Sequence, residues 1–468
     1  MFGAQDGLKR DEKMISTLVR NVLIPLYDFA TGNPTRRYMR ELEKSQWFTR
    51  GKIKELQEKR LRRLIKHAYE TVPYYHRIFR KNKLNFNDIK SLDDLAKLPI
   101  LSRENVRDEF DALISRGYPR KKMVYGCTGG STGEPIRFYT TRENRCWSNA
   151  ARYLAWRWAG FEIGDKFAQV FGLHLDRPML QSVKGRIEGQ LKRRIALDAY
   201  QMSEKAMEQF VEKMKKFKPK VLYGNATSVA NLAKYINDKG IDGFLLKSVF
   251  IDSMSLLEHE VKMIERVFGC KVWWNYHNRE NGTFASECSE HNGYHLFSQI
   301  FVFEFVKEGE KVAPGETGSI VITDLTNYAM PFIRYEVGDL GVPSDDICAC
   351  GRGMPLMKKL LGRTMEILVS AKGEFIVAPF FGRLEHIFAA RNIKQYQIVQ
   401  ETPTRIVVRI IPGKAYAYED TNIIRKTLRS LMGDLEIKVE LVKSISKSRS
   451  GKRQVIIRKF PIEFTRKG

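Results

Sequence analysis

Two stretches of the chain carry residue types suited to chemistry. Thr128-Gly129-Gly130-Ser131-Thr132-Gly133-Glu134-Pro135 mixes glycines with the hydroxyls of Thr128, Ser131 and Thr132. Glycine lets backbone take conformations other residues avoid and leaves room for a ligand. Hydroxyls and bare backbone N–H groups donate to phosphate oxygens. The Lys-Ser/Thr ending and following helix of a Walker A loop are missing, so an ordinary P-loop NTPase is excluded. On these residues alone a phosphate cradle and an exposed hairpin turn stay equally open. The second stretch is Cys348-Ala349-Cys350-Gly351, two thiols on a tight turn, with Cys288, His291 and His295 earlier in the chain. Soft thiolates and an imidazole in tetrahedral array suit Zn²⁺. The competing reading is unrelated buried thiols. Cys127, Cys146 and Cys270 read as ordinary thiols.

These groups need elements to hold them. The apolar run at 123–125 and the alternating run at 136–139 make the Gly-rich segment a strand–loop–strand unit. Helical spacing runs from Ile53 to about Phe79 and recurs at 146–158, 203–217 and 229–239. Strand-like runs fall at 167–172, 219–225, 248–252 and 271–274, so helices and strands alternate. That pattern predicts βαβ units and a largely parallel sheet. Ligands sit at the carboxyl ends of such strands, where Tyr223-Gly224, Asp252 and Tyr276 fall. The stretch from 296 to 323 reads as β-rich, and residues from Gly362 onward read as a smaller αβ unit.

At 468 residues the chain exceeds one ordinary core, and two or three domains are expected. No run reaches the ~18 uncharged apolar residues of a membrane span. Residues 1–20 have no signal-peptide pattern, and the six cysteines form no disulfide framework, so the expected location is cytoplasmic. Lys and Arg number 80 against 54 acidic residues, a net charge of +26 that attracts anions such as nucleotides, coenzyme A or acidic lipids. No nucleic-acid-binding motif accompanies that charge, so nucleic acid is not an expected partner. Residues 14–47 pair an apolar segment with Arg36 and Arg37. Packing onto the domain is the favoured reading, because Pro25 should interrupt a long amphipathic helix. Peripheral contact with an anionic membrane, at its inner face, is the other reading.

The order of the motifs resembles the adenylate-forming (acyl-CoA synthetase-like) superfamily, in its phenylacetate–CoA ligase/CapK-like branch. The matching pieces are HAYETVPYYHRIF, SLDDLAKLPILSR, TGGSTGEP, KFKPKVLYGNATSVANLAKYI, NYHNRE, RYEVGDLG, CACGR, Gly362-Arg363 and Ser450-Gly451-Lys452, spread over about residues 51–460. The resemblance implies an α/β fold in three parts. A basic, apolar extension (1–50) packs on the core. A large AMP-binding domain (51–362) holds mostly parallel sheets and a β-rich subdomain. A small, mobile αβ lid (363–468) completes the chain.

It also implies an activity. In this family an acid and ATP give an acyl-adenylate and pyrophosphate, and the acyl group then passes to a thiol, often coenzyme A, or to another nucleophile. The resemblance assigns Thr128, Gly129, Gly130, Ser131, Thr132 and Gly133 to the β- and γ-phosphates, and Glu280 to Mg²⁺. It assigns Tyr276 to stacking on adenine, Asp339 to the ribose hydroxyls and Arg363 to the ribose and hinge. Lys452 is the mobile lysine that reaches the α-phosphate and the carboxylate. Some members of the branch carry a structural zinc on Cys, His and a later Cys-x-Cys, which implies Cys288, His295, Cys348 and Cys350. His295 is preferred to His291 because it follows the family-like Gly-Tyr. CapK-like members imply a place in capsule or surface-polysaccharide biosynthesis. The chain departs from the family at His277, where a glycine is usual, around Met254, where a glutamate is lost, and at Met365. Those departures motivate an alternative, a catalytically degenerate adaptor that binds a nucleotide or an acyl group. The acid, the acceptor and the oligomeric state are not specified by the residues.

Overall fold

The computed structural model describes residues 12, 14–128, 136–171, 189–199, 201–252, 256, 258–363, 368–372, 375–376, 393–413, 416–445 and 456–460. Strands β1 (Met123–Cys127) and β2 (Arg137–Thr141) form an antiparallel hairpin with Met123 opposite Thr141. The strand–loop–strand expectation therefore holds up to Thr128, whose hydroxyl accepts from Ile136 N at 2.9 Å. Residues 129–135, which carry most of the Gly-rich loop, lie outside the described residues, as do Met254, Met365 and Lys452.

Five strands then run parallel: β3 (Phe167–Phe171), β4 (Arg194–Asp198), β5 (Val221–Asn225), β6 (Ser248–Asp252) and β7 (Val272–Asn278). Seven follow in antiparallel arrangement: β8 (Gly282–Ser286), β9 (Tyr294–Leu296), β10 (Phe301–Lys307), β11 (Glu310–Lys311), β12 (Gly318–Asp324), β13 (Tyr335–Ser344) and β14 (Leu356–Arg363). All twelve make one sheet, ordered β11-β10-β12-β13-β14-β9-β8-β7-β6-β5-β3-β4. The fold is α/β, and the parallel and β-rich parts are a single hydrogen-bonded surface.

Alternation along the strands decides what each face buries. Leu222, Val249 and Ile251 pack under the helices Glu204–Phe217, Ala226–Asp238 and Glu258–Phe268. Val221, Tyr223 and Phe250 face the other way, toward the helix Arg142–Trp158, where Trp156 stacks on Phe250 at 5.4 Å. A separate core holds the C-terminal unit. There the helix Tyr418–Met432 covers a sheet of β17 (Ile393–Thr402), β18 (Arg405–Pro412), β19 (Glu436–Leu441) and β20 (Ile456–Arg458). A two-stranded pair, β15 (Leu368–Val369) with β16 (Phe375–Ile376), precedes it.

Two local readings change. The helix expected from 53 to 79 is two helices, Arg50–Thr71 and Pro73–Lys81. Pro73 forces Val72 into an extended conformation (φ −111°) and then serves as the first residue of the new helix. Conversely, Pro25 does not interrupt its segment. Residues 14–31 stay helical because a π-turn at Val19–Leu23 precedes the proline. This helix docks through Ser16 and Val19, and Arg20 Nε donates to the Ile163 carbonyl at 2.9 Å. Its outer face presents Met14, Ile15, Leu18, Val22, Leu26 and Phe29 to solvent, Phe29 being 88% exposed.

Candidate functional site

At the edge where β7 meets the antiparallel half, the Tyr276 hydroxyl donates to Asp339 Oδ2 at 2.9 Å. Tyr276 is buried, its ring 5.0 Å from that of Phe284. Asp339 sits on β13 directly after Gly338, whose φ of +87° is a conformation that favours glycine. The register of β13 and β14 sets Asp339 opposite Arg363, so two residues separated by the β13–β14 turn end side by side on the backbone.

Glu280 lies just beyond β7, buried, and accepts from the Tyr335 hydroxyl at 3.3 Å and from Arg103 Nη1 at 3.4 Å. Arg103 Nη1 also reaches the Tyr335 oxygen at 3.3 Å. Burial pulls the Arg103 guanidinium down, but Tyr335, Glu280 and Asp339 outweigh it and hold the group above its ordinary value. Burial, reinforced by Glu280, lifts the Tyr335 phenol well above its own. The Arg103 cation thus bonds Glu280 and also feels the Asp339 carboxylate.

Sequence reasoning missed Arg103. It begins the short helix Arg103–Asp108, capped by Ser102 and Asn105, in a stretch that reads as chemically quiet. The signal available was its place at the end of the SLDDLAKLPILSR piece. Leu101 locks that piece to the sheet by donating to Arg334 O at 2.8 Å and accepting from Glu336 N at 3.0 Å.

The four residues of the expected zinc set converge. Ligand atoms of Cys288, His295, Cys348 and Cys350 all lie within 4.8 Å of one another. Cys288 Sγ is 3.6 Å from Cys348 Sγ, and Cys350 Sγ is 3.3 Å from His295 Nε2. Four donors each about 2.3 Å from a central ion would stand about 3.7 Å apart, so the donor set fits a tetrahedral metal. Burial, with Arg352 nearby, pushes the His295 imidazole down to about 4, which leaves it neutral and able to ligate near pH 7. Burial pushes the Cys288 thiol up to about 12, whereas at Cys350 hydrogen bonds from Arg352 and the neighbouring thiols outweigh burial and lower it. His291 is outside the set. It turns to Glu287, 3.1 Å away, beside the Trp273 ring.

The N-terminal segment closes over this cluster. Gln46 Oε1 accepts from Trp158 Nε1 and from Arg352 Nε, both at 2.9 Å, and its carbonyl accepts from Gly353 N at 2.9 Å. A Cβ at Gly353 would collide with the Phe48 carbonyl, so glycine is required there.

Comparison with known proteins agrees with this architecture. A solved structure of 2-hydroxyisobutyryl-CoA ligase, in the postadenylation state in complex with R3-HIB-AMP, matches 88% of this chain and 90% of its own at a TM-score of 0.68 and 19% identity. The fold is that of the adenylate-forming ligases. In sequence, a phenylacetate–coenzyme A ligase of Thermus thermophilus is 28% identical over 342 residues, 71% of this chain and 74% of that one. Protein CapK of Staphylococcus aureus is 24% identical over 413 residues, 86% of this chain and 88% of that one. Residues 368–459 match the family model of the CapK C-terminal domain. The chain is thus similar in sequence to phenylacetate–CoA ligase and to CapK, and it shares its fold with the adenylate-forming ligases.

Proposed function

We propose that the protein is an ATP-dependent ligase that activates a carboxylic acid as its acyl-adenylate and passes the acyl group to a thiol such as coenzyme A. The observation that carries this reading is the Tyr276–Asp339 contact beside the Arg103–Glu280–Tyr335 cluster, at the carboxyl end of the sheet. The acid's carboxylate oxygen attacks the α-phosphorus, and the bond to the pyrophosphate oxygen breaks. The thiolate then adds to the acyl carbonyl, and AMP leaves with the bonding pair. Two anions must meet in the first step, so fixed cations and oriented donors supply the needed stabilisation.

In this reading Asp339 accepts from the ribose hydroxyls, a task suited to an acceptor-only group, and Tyr276 holds its carboxylate in place. Thr128 and Gly129–Gly133 hold the β- and γ-phosphates, Arg363 lies by the ribose, and Lys452 comes in with the C-terminal unit. Glu280 binds Mg²⁺, a hard ion that takes carboxylate and phosphate oxygens. Arg103 supplies the counter-charge to Glu280, 3.4 Å away. Zinc on Cys288, His295, Cys348 and Cys350 is structural and leaves no position for substrate. The likeness to CapK supports a place in surface-polysaccharide biosynthesis.

ATP–pyrophosphate exchange over a panel of acids tests the reading. Acid-dependent exchange should appear in the wild type and fall by about two or more orders of magnitude in Lys452→Ala, which removes a charge from the transition state. A folded protein that shows no exchange and binds no ATP by calorimetry would instead be the degenerate adaptor. Metal analysis of protein purified without chelator should find one zinc per chain. Cys348→Ser with Cys350→Ser should lose it and melt on the order of 5 °C lower, since a few kcal/mol shifts Tm that far in a chain this size.

The exposed stripe on residues 14–31 supports peripheral contact with an anionic bilayer. Among the described residues no helix is long and apolar enough to cross a membrane, but this face can lie on one. The +26 charge favours an acidic surface. Vesicles with anionic lipid should sediment the wild type. Leu18→Ser with Phe29→Ser should weaken that binding about tenfold or more, the transfer value of two side chains.

A further inference from the structure

A second constellation, unused by the ATP reading, occupies the carboxyl ends of β5, β6 and β7. The strand register sets Asn225, Asp252 and Asn275 abreast. Tyr223 and Asp252 point to the face covered by the helix Arg142–Trp158, from which Arg152 and Trp156 reach them. The Arg152 guanidinium lies 5.7 Å from the Tyr223 ring and 5.8 Å from the Trp156 ring. The β7–β8 register shifts between Tyr276 and His277, which breaks the side-chain alternation there. Tyr276 turns to Asp339 while His277 Nδ1 comes within 3.3 Å of Asp252 Oδ2. Phe171 walls the group, stacked on Tyr223 at 5.4 Å and tilted against His277 at 6.0 Å.

The group is buried and incompletely satisfied. The Asp252 side chain is 5% exposed. Yet Asp252 Oδ2, Arg152 Nε, Asn275 Nδ2, His277 Nδ1 and Trp156 Nε1 all lack a hydrogen-bond partner among the described residues. The approach of His277 to Asp252 is close but misaligned for a hydrogen bond. A buried polar atom left unmatched costs free energy that packing does not return, and a packed core seldom concentrates five of them. Burial lifts the Asp252 carboxyl above its ordinary value even with His277, Arg152, Asn275 and the hydrogen-bonding Tyr223 beside it.

The missing partner must both donate, to Asp252, and accept, from Arg152, Asn275 or the indole. A hydroxyl does both at one atom. The flat walls of Phe171, Tyr223 and Trp156 suit a ring. We propose that this pocket selects a hydroxylated ring acid as the substrate, with Asp252 accepting from a ring hydroxyl and Arg152 and His277 completing its hydrogen bonds. The inference rests on the ligase reading for placement, because His277 adjoins Tyr276 in the chain. An unsubstituted ring would leave these atoms unpaired, and sites built to bond a hydroxyl reject analogues lacking it strongly.

The test is exchange with matched acids on the full chain: phenylacetate against 4-hydroxyphenylacetate, and cyclohexanecarboxylate against quinate. At least one hydroxylated member should exceed its partner in kcat/KM by 100-fold or more. Asp252→Asn, which keeps the shape, and Asp252→Ala should each cut that ratio below about fivefold while the Kd for ATP holds. A preference for the unsubstituted acids, or a ratio that survives both substitutions, overturns the proposal. If exchange is silent with every acid, the ligase reading falls, and saturation-transfer NMR with the same pairs decides the pocket separately. Binding of a hydroxylated acid that Asp252→Asn abolishes supports it; equal or absent binding within both pairs overturns it.

Discussion

Arg334→Met is expected to destabilise the protein by about 3–5 kcal/mol, the cost of stranding a buried charge. Arg334 and Glu304 are both buried, and the guanidinium spans the carboxylate with two bonds, Nε to Oε2 at 3.1 Å and Nη2 to Oε1 at 3.0 Å. Nη1 reaches the Leu98 and Ala96 carbonyls as well, so a single side chain ties β10 to the segment that launches Arg103. Methionine fills the volume but leaves Glu304 with no counter-charge. The midpoint of urea unfolding should fall accordingly. Pairing the change with Glu304→Leu should recover most of the loss, because a well-packed apolar pair replaces a buried ion pair at little cost. If the double variant is no better than the single one, the defect lies in lost support for Leu98 and Leu101 and not in the stranded charge.

Asp339→Ala should cost about two to three orders of magnitude in both ATP affinity and exchange rate. A hydrogen bond to a charged group contributes about 1.5–3 kcal/mol, Asp339 can accept one from each ribose hydroxyl, and about 1.4 kcal/mol is a factor of ten. Two controls separate ligand contact from architecture. Tyr276→Phe removes only the 2.9 Å hydrogen bond that orients the carboxylate, and should cost about tenfold or less. Thermal unfolding of Asp339→Ala should stay near that of the wild type, since β13 keeps its backbone pairing on both sides. Calorimetric ATP titration beside the exchange assay reads both effects. An Asp339→Ala variant that binds ATP normally would remove the main support for the proposed site.

Much of this was legible in the sequence because it is local. The positions of β3, β5, β6 and β7 and the helices between them follow from the switch between two-residue and 3.6-residue apolar spacing, whereas β4 (Arg194–Asp198) does not stand out in it. The Cys-x-Cys turn announces a soft-ligand site by composition alone. Relations between distant residues were not legible. Nothing in the spacing shows that Arg103 meets Glu280, that Asp339 stands opposite Arg363, or that the parallel and antiparallel halves share one sheet. Those depend on strand order, which long-range packing decides. The helix at 14–31 was misread for the opposite reason. Pro25 is a local breaker, and a π-turn just ahead of it, a rare element that propensity does not foresee, carried the helix through. The Asp252 group was visible only as a residue at a strand end; its unmet hydrogen bonds needed coordinates.

The Gln46 contacts make the N-terminal segment and the thiol cluster a single cooperative unit. Gln46 bonds to Trp158, Arg352 and Gly353, and Arg352 lies over both Trp47 and Trp158. Trp158 in turn meets the edge of the His295 ring. A loosening of the cysteine turn therefore cannot stay local. It would free the seam between the first helices and the central sheet while the C-terminal unit, with its own core, kept its fold. During synthesis this seam can close only once residue 352 has emerged, because its two sides lie 306 residues apart in the chain.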